Sequence, residues 1–203
     1  MKKWLTLLFV MVLTLLITAC SSNTDSTDNN QNESDNPIEK ADEDATNETS
    51  EEIVVSLNNL DGDKAAEATL TQDTDGVKIQ IKGDGFPKET KQHAFHIHEK
   101  GICEPEDKFE SAGGHYNPHD KEHGKHADNG HHAGDFENID VKDGKVDIEF
   151  TTDQISLDED ADNTVFSKDG TSFVIHDGTD DYKSQPAGDA GDRIICGVIA
   201  EPK

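Results

Sequence analysis

The sequence predicts an all-β domain, a sandwich or barrel of short antiparallel strands, with an export signal and a polar tether ahead of it. Three observations predict it. Short runs rich in Val, Ile and Phe recur between turn signals. Val77-Lys78-Ile79-Gln80-Ile81-Lys82 alternates apolar and polar residues, so one face packs on a core and the other meets water. No amphipathic helix period competes with these runs.

The expected strands, in order, are Ile53–Leu60, Ala66–Gln72, Val77–Lys82, Gln92–Glu99, Lys145–Thr151, Ser172–Asp177 and Arg193–Glu201. Leu60-Asp61-Gly62-Asp63, Asp73-Thr74-Asp75-Gly76 and Lys142-Asp143-Gly144 supply turns between them. One further strand is expected near Ala133–Val141. Residues 53–203 are long enough for one domain with its own core, and no internal repeat divides them.

The amino terminus points to export. Lys2 and Lys3 precede an apolar run from Trp4 to Thr18, the layout of a secretory signal over residues 1–19. Leu16-Ile17-Thr18-Ala19-Cys20 resembles a bacterial lipobox, which implies a lipid on Cys20 and an extracytoplasmic protein anchored to the cell membrane. An uncleaved membrane helix is the alternative, but the run falls short of the ~20 residues a span needs. No second apolar segment is long enough to cross. Residues 20–52 continue with Asn, Ser, Thr, Asp and Glu, a composition that cannot bury enough apolar surface to fold and reads as an extended acidic tether. The whole chain carries a formal charge of −26. From Ile53 onward there are 33 Asp or Glu against 15 Lys or Arg, which disfavours nucleic acid as a partner.

Chemistry is concentrated in histidine. His96 and His98, two residues apart in a strand, project to the same face and make half a metal site. Gly114-His115-Tyr116-Asn117-Pro118, His123 and His132-Ala133-Gly134-Asp135 follow, with His176 far downstream. Six imidazoles and a carboxylate suffice for two metal ions if the fold returns His176 to the rest. Imidazole suits copper, zinc, iron and nickel, and the lack of a nearby thiolate argues against an iron–sulfur cluster. Gly101 to Asp135 is polar and Gly-punctuated, a long loop whose order calls for a bound ion.

Four separated segments carry a family resemblance: His93-Ala94-Phe95-His96-Ile97-His98-Glu99-Lys100-Gly101, Ser111-Ala112-Gly113-Gly114-His115-Tyr116-Asn117-Pro118, His132-Ala133-Gly134-Asp135, and Gly188-Asp189-Ala190-Gly191-Asp192-Arg193-Ile194-Ile195-Cys196-Gly197-Val198-Ile199. Together they resemble the copper–zinc superoxide dismutases, over roughly Ile53 to Lys203. The resemblance implies an eight-stranded Greek-key β-barrel with long metal-binding and electrostatic loops, one copper and one zinc per subunit, and superoxide as substrate. It implies copper on His96, His98, His115 and His176, and zinc on His115, His123, His132 and Asp135, with His115 bridging. Asp180 matches the carboxylate that links a copper-ligand histidine to a zinc-ligand histidine, here His96 and His123. Arg193 matches the arginine that attracts the anion beside copper, and His115 the group that returns a proton when its bond to copper breaks. Cys103 and Cys196 occupy the disulfide positions, two buried thiols being the alternative.

Other residues fit the resemblance less well. His93 falls where the family often has a structural histidine, whereas His119, His126 and His131 match no ligand and read as solvated loop residues or an auxiliary weak metal site. The family's steering loop corresponds to the segment after His176, where Lys183 is the sole cation before Arg193, so strong steering is not expected. Asp153 to Lys168 adds five acidic residues. The leading function is superoxide dismutation. The alternative is a non-catalytic zinc- or copper-binding lipoprotein on the same barrel that stores or delivers copper, supported by the His-rich insert Pro118–His132; a structural lipoprotein is a third, weaker reading. A homodimer and a monomer both remain open.

Overall fold

Alternation of side chains builds the wall of a barrel, and the loops that leave it build the site. The structure, a computed structural model, describes residues 52–203 apart from Thr90 and His126. The expectations for the signal, Cys20, the tether and His126 lie outside the described residues.

β1 (Glu52–Asn59), β2 (Lys64–Asp73) and β3 (Gly76–Gly83) form an antiparallel meander. The first turn is held by the Asn59 side chain, whose Oδ1 accepts from the N–H groups of Asp61 (3.0 Å) and Asp63 (2.9 Å). The second needs Gly76, whose φ is 130° and where a Cβ would collide with the Thr152 carbonyl of the neighbouring strand.

The strand expected over Gln92–Glu99 is two strands, β4 (Lys91–His93) and β5 (Phe95–His98). It breaks at Ala94, whose N–H donates to Gly178 O (2.8 Å) and whose carbonyl accepts from His176 N–H (3.0 Å). Here the chain changes partners. β4 pairs with β6 (Ile139–Val141), and β5 pairs with β8 (Thr171–His176). Of the strand expected near Ala133–Val141, only these last three residues form a strand, because Gly134 and Asp135 bond to β5 instead. β7 (Val146–Thr152) and β9 (Arg193–Ala200) complete the set.

One sheet runs β5-β8-β9-β1-β2-β3-β7, and β4-β6 forms a second. Continuity of β4 with β5, and the paired backbone bonds of Lys142 and Lys145 between β6 and β7, close the ring. With β4 and β5 taken as one corner-turning strand, this is an eight-stranded Greek-key barrel. The connections β3 to β4 and β7 to β8 each pass over two intervening strands. No α-helix occurs among the described residues.

Leu57, Leu70, Ile79, Ile81, Phe95, Ile97, Phe173 and Ile175 fill the interior. Phe95 packs against Phe173 (centroids 5.1 Å apart) and Phe136 (5.4 Å). In β5 and β8 every residue is buried, unlike the alternating β3. Their odd-numbered residues face the core, so His96, His98 and His176 lie on the outer side of the wall, covered by loops.

Cys103 and Cys196 form a disulfide across 93 residues, tying the first loop to β9 beside Phe109, Ala112 and Val174. Replacing both cysteines with serine should lower the unfolding free energy of the metal-free protein by about 4–5 kcal/mol, from the chain-entropy scaling for a loop of this length. Denaturant midpoints would measure this, and a midpoint equal to the parent's would show that the bridge does not constrain the unfolded chain.

Candidate metal centre

β5 is the edge of the large sheet, and the first loop uses that free edge. Tyr116 N–H donates to Ile97 O (2.8 Å), Ile97 N–H to Gly134 O (3.0 Å) and Glu99 N–H to Gly114 O (2.9 Å). These bonds set His115 opposite His98 and Asp135 opposite His96. At Gly134 a Cβ would strike the Ile97 carbonyl, so only glycine permits the approach. β8 ends at His176, which pairs with Arg193 at the start of β9. The intervening loop carries Asp180.

Two groups of ligand-type side chains result: His96, His98, His115 and His176, and His115, His123, His132 and Asp135. Within each, one ligand atom per residue lies within 4.8 Å of the others, and every member is buried. His115 belongs to both.

In the first group each ring spends one nitrogen on an acceptor. His96 Nε2–H donates to Asp180 Oδ2 (2.8 Å), His98 Nδ1–H to Gly113 O (2.9 Å), His115 Nδ1–H to Asp135 Oδ1 (2.8 Å) and His176 Nδ1–H to Gly191 O (3.1 Å). The opposite nitrogens, His96 Nδ1, His98 Nε2, His115 Nε2 and His176 Nε2, are buried with no hydrogen-bond partner. Four orphaned lone pairs at one point match the demands of a transition-metal cation such as copper. Burial also keeps these rings neutral. It lowers the pKa of His96 to about 3, against the pull of Asp180, and that of His176 to about 4, and it holds His98 well below and His115 below the usual histidine value.

The second group is dipolar. Asp135 Oδ1 accepts from His115 Nδ1 and from His132 Nδ1 (3.2 Å), and Oδ2 lies 3.1 Å from His123 Nδ1. Burial pushes the Asp135 carboxyl up, but its bonds to His115, His123 and His132 outweigh that and hold it far below the usual carboxylate range. Burial likewise lowers His123, yet Asp135 and Asp180 on either side raise it to about 9. A divalent cation held between these groups would take the place of that proton. Three nitrogens and a carboxylate oxygen suit zinc.

Asp180 joins the groups. Its Oδ2 meets His96 and its Oδ1 accepts from His123 Nε2–H (3.0 Å), as the resemblance implies. Those two bonds, His123 first, keep the carboxyl well below its ordinary range despite burial. Arg193 donates to Phe109 O (Nη1, 2.7 Å) and Gly113 O (Nη2, 2.8 Å), sharing the latter with His98. Glu110 Oε2 lies 3.6 Å from Nη2. The guanidinium is thus fixed beside the first group as a stationary positive charge.

His93 is fully buried and donates from Nδ1 to the His176 carbonyl (2.7 Å), tying β4 to the end of β8. His119 is exposed, and His131 is half-buried with its Nδ1–H on His132 O (2.8 Å); neither joins a ligand group. Two functional side chains carry no signal in the sequence. Asn138 clamps Asp180 through both backbone groups (2.8 and 3.0 Å), and Gln185 does the same for His123. An amide some forty or sixty residues from its partner has no period or spacing to reveal it.

A closed barrel bearing two buried groups of metal-ligand side chains with a shared imidazole and an adjacent fixed guanidinium defines a metalloprotein scaffold. Residues 64–199 match the family model for copper/zinc superoxide dismutase. The chain is 45% identical over 142 residues to superoxide dismutase [Cu-Zn] 1 of Aquifex aeolicus, covering 70% of this chain and 83% of that one. The solved structure of a superoxide dismutase-like protein from Bacillus subtilis superposes with a TM-score of 0.67 at 39% identity, over 72% of this chain and 97% of that one. The copper/zinc superoxide dismutase from Brucella abortus superposes with a TM-score of 0.58 at 26% identity, over 73% and 99%. The chain belongs to the copper/zinc superoxide dismutase family. Copper and zinc are its cofactors, and it is an oxidoreductase.

Removing one ligand from each group should separate their roles. His176→Ala, which removes a ligand itself, should lower dismutation by more than the roughly 10–100-fold that losing a ligand's hydrogen-bond partner costs, while zinc content stays near that of the parent. Asp135→Ala should lose zinc. Metal analysis beside an activity assay tests both, and unchanged activity in the first or unchanged zinc in the second would remove that residue from its site.

Proposed function

We propose that the chain dismutes superoxide outside the cytoplasmic membrane, with copper on His96 Nδ1, His98 Nε2, His115 Nε2 and His176 Nε2, and zinc on Asp135 and the Nδ1 atoms of His115, His123 and His132. The observation that carries the reading is the set of four orphaned, buried imidazole nitrogens, each ring oriented by an acceptor at its other nitrogen. Bound copper supplies the one-electron chemistry, by which one superoxide is oxidised to dioxygen and a second, taking up two protons, is reduced to hydrogen peroxide.

The protein's own groups do the rest. Arg193 is held by two backbone carbonyls, so its charge is in place before the anion arrives and no reorganisation is needed. His115 Nε2 can hold a proton whenever it is not serving as a ligand, on a buried ring whose side chain is only 2% exposed. Asp180 keeps His96 in the tautomer with its lone pair on Nδ1. The storage reading draws its distinct support from the extra histidines, and His119 and His131 stand outside both ligand groups.

Location follows from the lipobox-like Leu16–Cys20 and the acidic stretch after it, and the Cys103–Cys196 bridge fits an oxidising compartment. Among the described residues no helix is long and apolar enough to cross a membrane. In this reading a lipid on Cys20 holds the enzyme at the cell membrane.

Two measurements test the proposal. The metal-stripped protein should gain dismutase activity only when copper is added with zinc, and the rate constant should rise as ionic strength goes from about 0.01 M to about 0.1 M, because salt shortens the reach of the acidic surface from roughly 30 to roughly 10 Å. Protein loaded with both copper and zinc yet without activity would sink the enzymatic reading. Cys20→Ser should move the protein from the membrane fraction to the soluble fraction, and retention of the variant at the membrane would rule out the lipid anchor.

A further inference from the structure

His123 lies in the polar stretch between Pro118 and His132, where regular pairing is sparse, yet it is only 1% exposed. Its backbone N–H and C=O are therefore polar groups that need partners. One side chain supplies both. His123 N–H donates to Gln185 Oε1 at 2.9 Å, and Gln185 Nε2 donates to the His123 carbonyl at 2.9 Å. No backbone group among the described residues bonds to either. The primary amide, with one donor and one acceptor side by side, takes the place of a neighbouring strand.

These bonds fix the two peptide units that flank the Cα from which the ring hangs. The ring must then meet two carboxylates at once: Nδ1 lies 3.1 Å from Asp135 Oδ2 and Nε2 lies 3.0 Å from Asp180 Oδ1. Little slack remains around it. A Cβ at Gly188 would strike both Asp180 Oδ1 and the His123 ring, and one at Gly124 would strike the Tyr182 carbonyl. Gln185 itself sits at the surface and adds nothing to the barrel core. Its position in the second loop means that the clasp reaches across 62 residues to a ligand carried by the first.

We propose that Gln185 is a positioning residue for the second metal ion, setting the His123 backbone so that Nδ1 faces the cation and Nε2 faces Asp180. The inference rests on the assignment of zinc to the group of His115, His123, His132 and Asp135. Gln185 touches neither metal nor superoxide. It acts through His123 alone.

The test uses the purified, metal-stripped protein and the variants Gln185→Ala and Gln185→Met, the second keeping the bulk of the side chain while removing both hydrogen bonds. Zinc affinity is measured by competition with a chromophoric chelator, the absorption spectrum of cobalt(II) at the same site reports its coordination geometry, and thermal unfolding is recorded with and without metal. Both variants should bind zinc at least about tenfold more weakly than the parent, the cost expected when a ligand loses its outer support. Their cobalt(II) bands should weaken or shift, while the metal-free Tm stays with the parent's. Zinc affinity equal to the parent's would overturn the proposal. So would a metal-free Tm that falls as far as the metal-loaded one, because the amide would then support the fold in general. A parent that binds no zinc tightly would overturn the zinc assignment and this inference with it, and that outcome is recognisable because it precedes any comparison with the variants.

Discussion

Imidazole lone pairs buried face to face are the constraint on which the rest of the structure depends. An unsatisfied buried polar atom costs about 1–3 kcal/mol, and His96 Nδ1, His98 Nε2, His115 Nε2 and His176 Nε2 share one small space. A cation that all four can coordinate removes that cost at a stroke, so metal binding free energy becomes folding free energy for the segments that carry the ligands. This is how residues 99–138 and 177–192, with little regular structure, belong to a compact domain. Before metal enters, the free edge of β5 and the Cys103–Cys196 bridge already hold the first loop in register. The pocket is therefore largely shaped by the barrel rather than by the ion.

Charge works on two scales here. The domain carries an excess of acidic side chains, and Asp177, Asp181, Asp189 and Asp192 all lie in the second loop, so the long-range field opposes an anion. Within a few ångströms the balance reverses. Arg193 is fixed by Phe109 O and Gly113 O, and two bound metal ions would add more positive charge at the same place. Glu110, highly exposed and 3.6 Å from the guanidinium, trims that charge only weakly because water screens it. Capture then depends on the last few ångströms of approach.

Much of this was legible in the sequence where residue type alone decides. The strict alternation of Val77–Lys82 is β3, and the turns at Gly62 and Gly76 fall where glycine was needed. His96 and His98 share a face because a strand leaves them no other choice. What could not be read depends on partners far along the chain. The break at Ala94 exists because Gly178 and His176 claim its backbone groups, and nothing local in Gln92–Glu99 marks the corner. Asn138 and Gln185 were invisible for the same reason: an amide is a common loop residue until its partner is known. Tyr182, whose hydroxyl accepts from Asn138 N–H (2.8 Å), belongs with them.

The two halves of the centre are joined by more than the shared ring of His115. Asp180 is ionised, so both its oxygens only accept, and each bond obliges the ring opposite to carry its proton on Nε2. For His96 that leaves the lone pair on Nδ1, aimed into the first group; for His123 it leaves Nδ1 aimed at Asp135, in the second. The other tautomer of either ring would set a lone pair against the carboxylate and a proton against a cation. One carboxylate thus fixes the proton inventory of one ligand in each group, and Asn138, by clamping both backbone groups of Asp180, fixes the carboxylate. Displacing Asp180 would therefore disturb both metals together even though it binds neither, which places control of the centre in the loop that no ligand of the second group occupies.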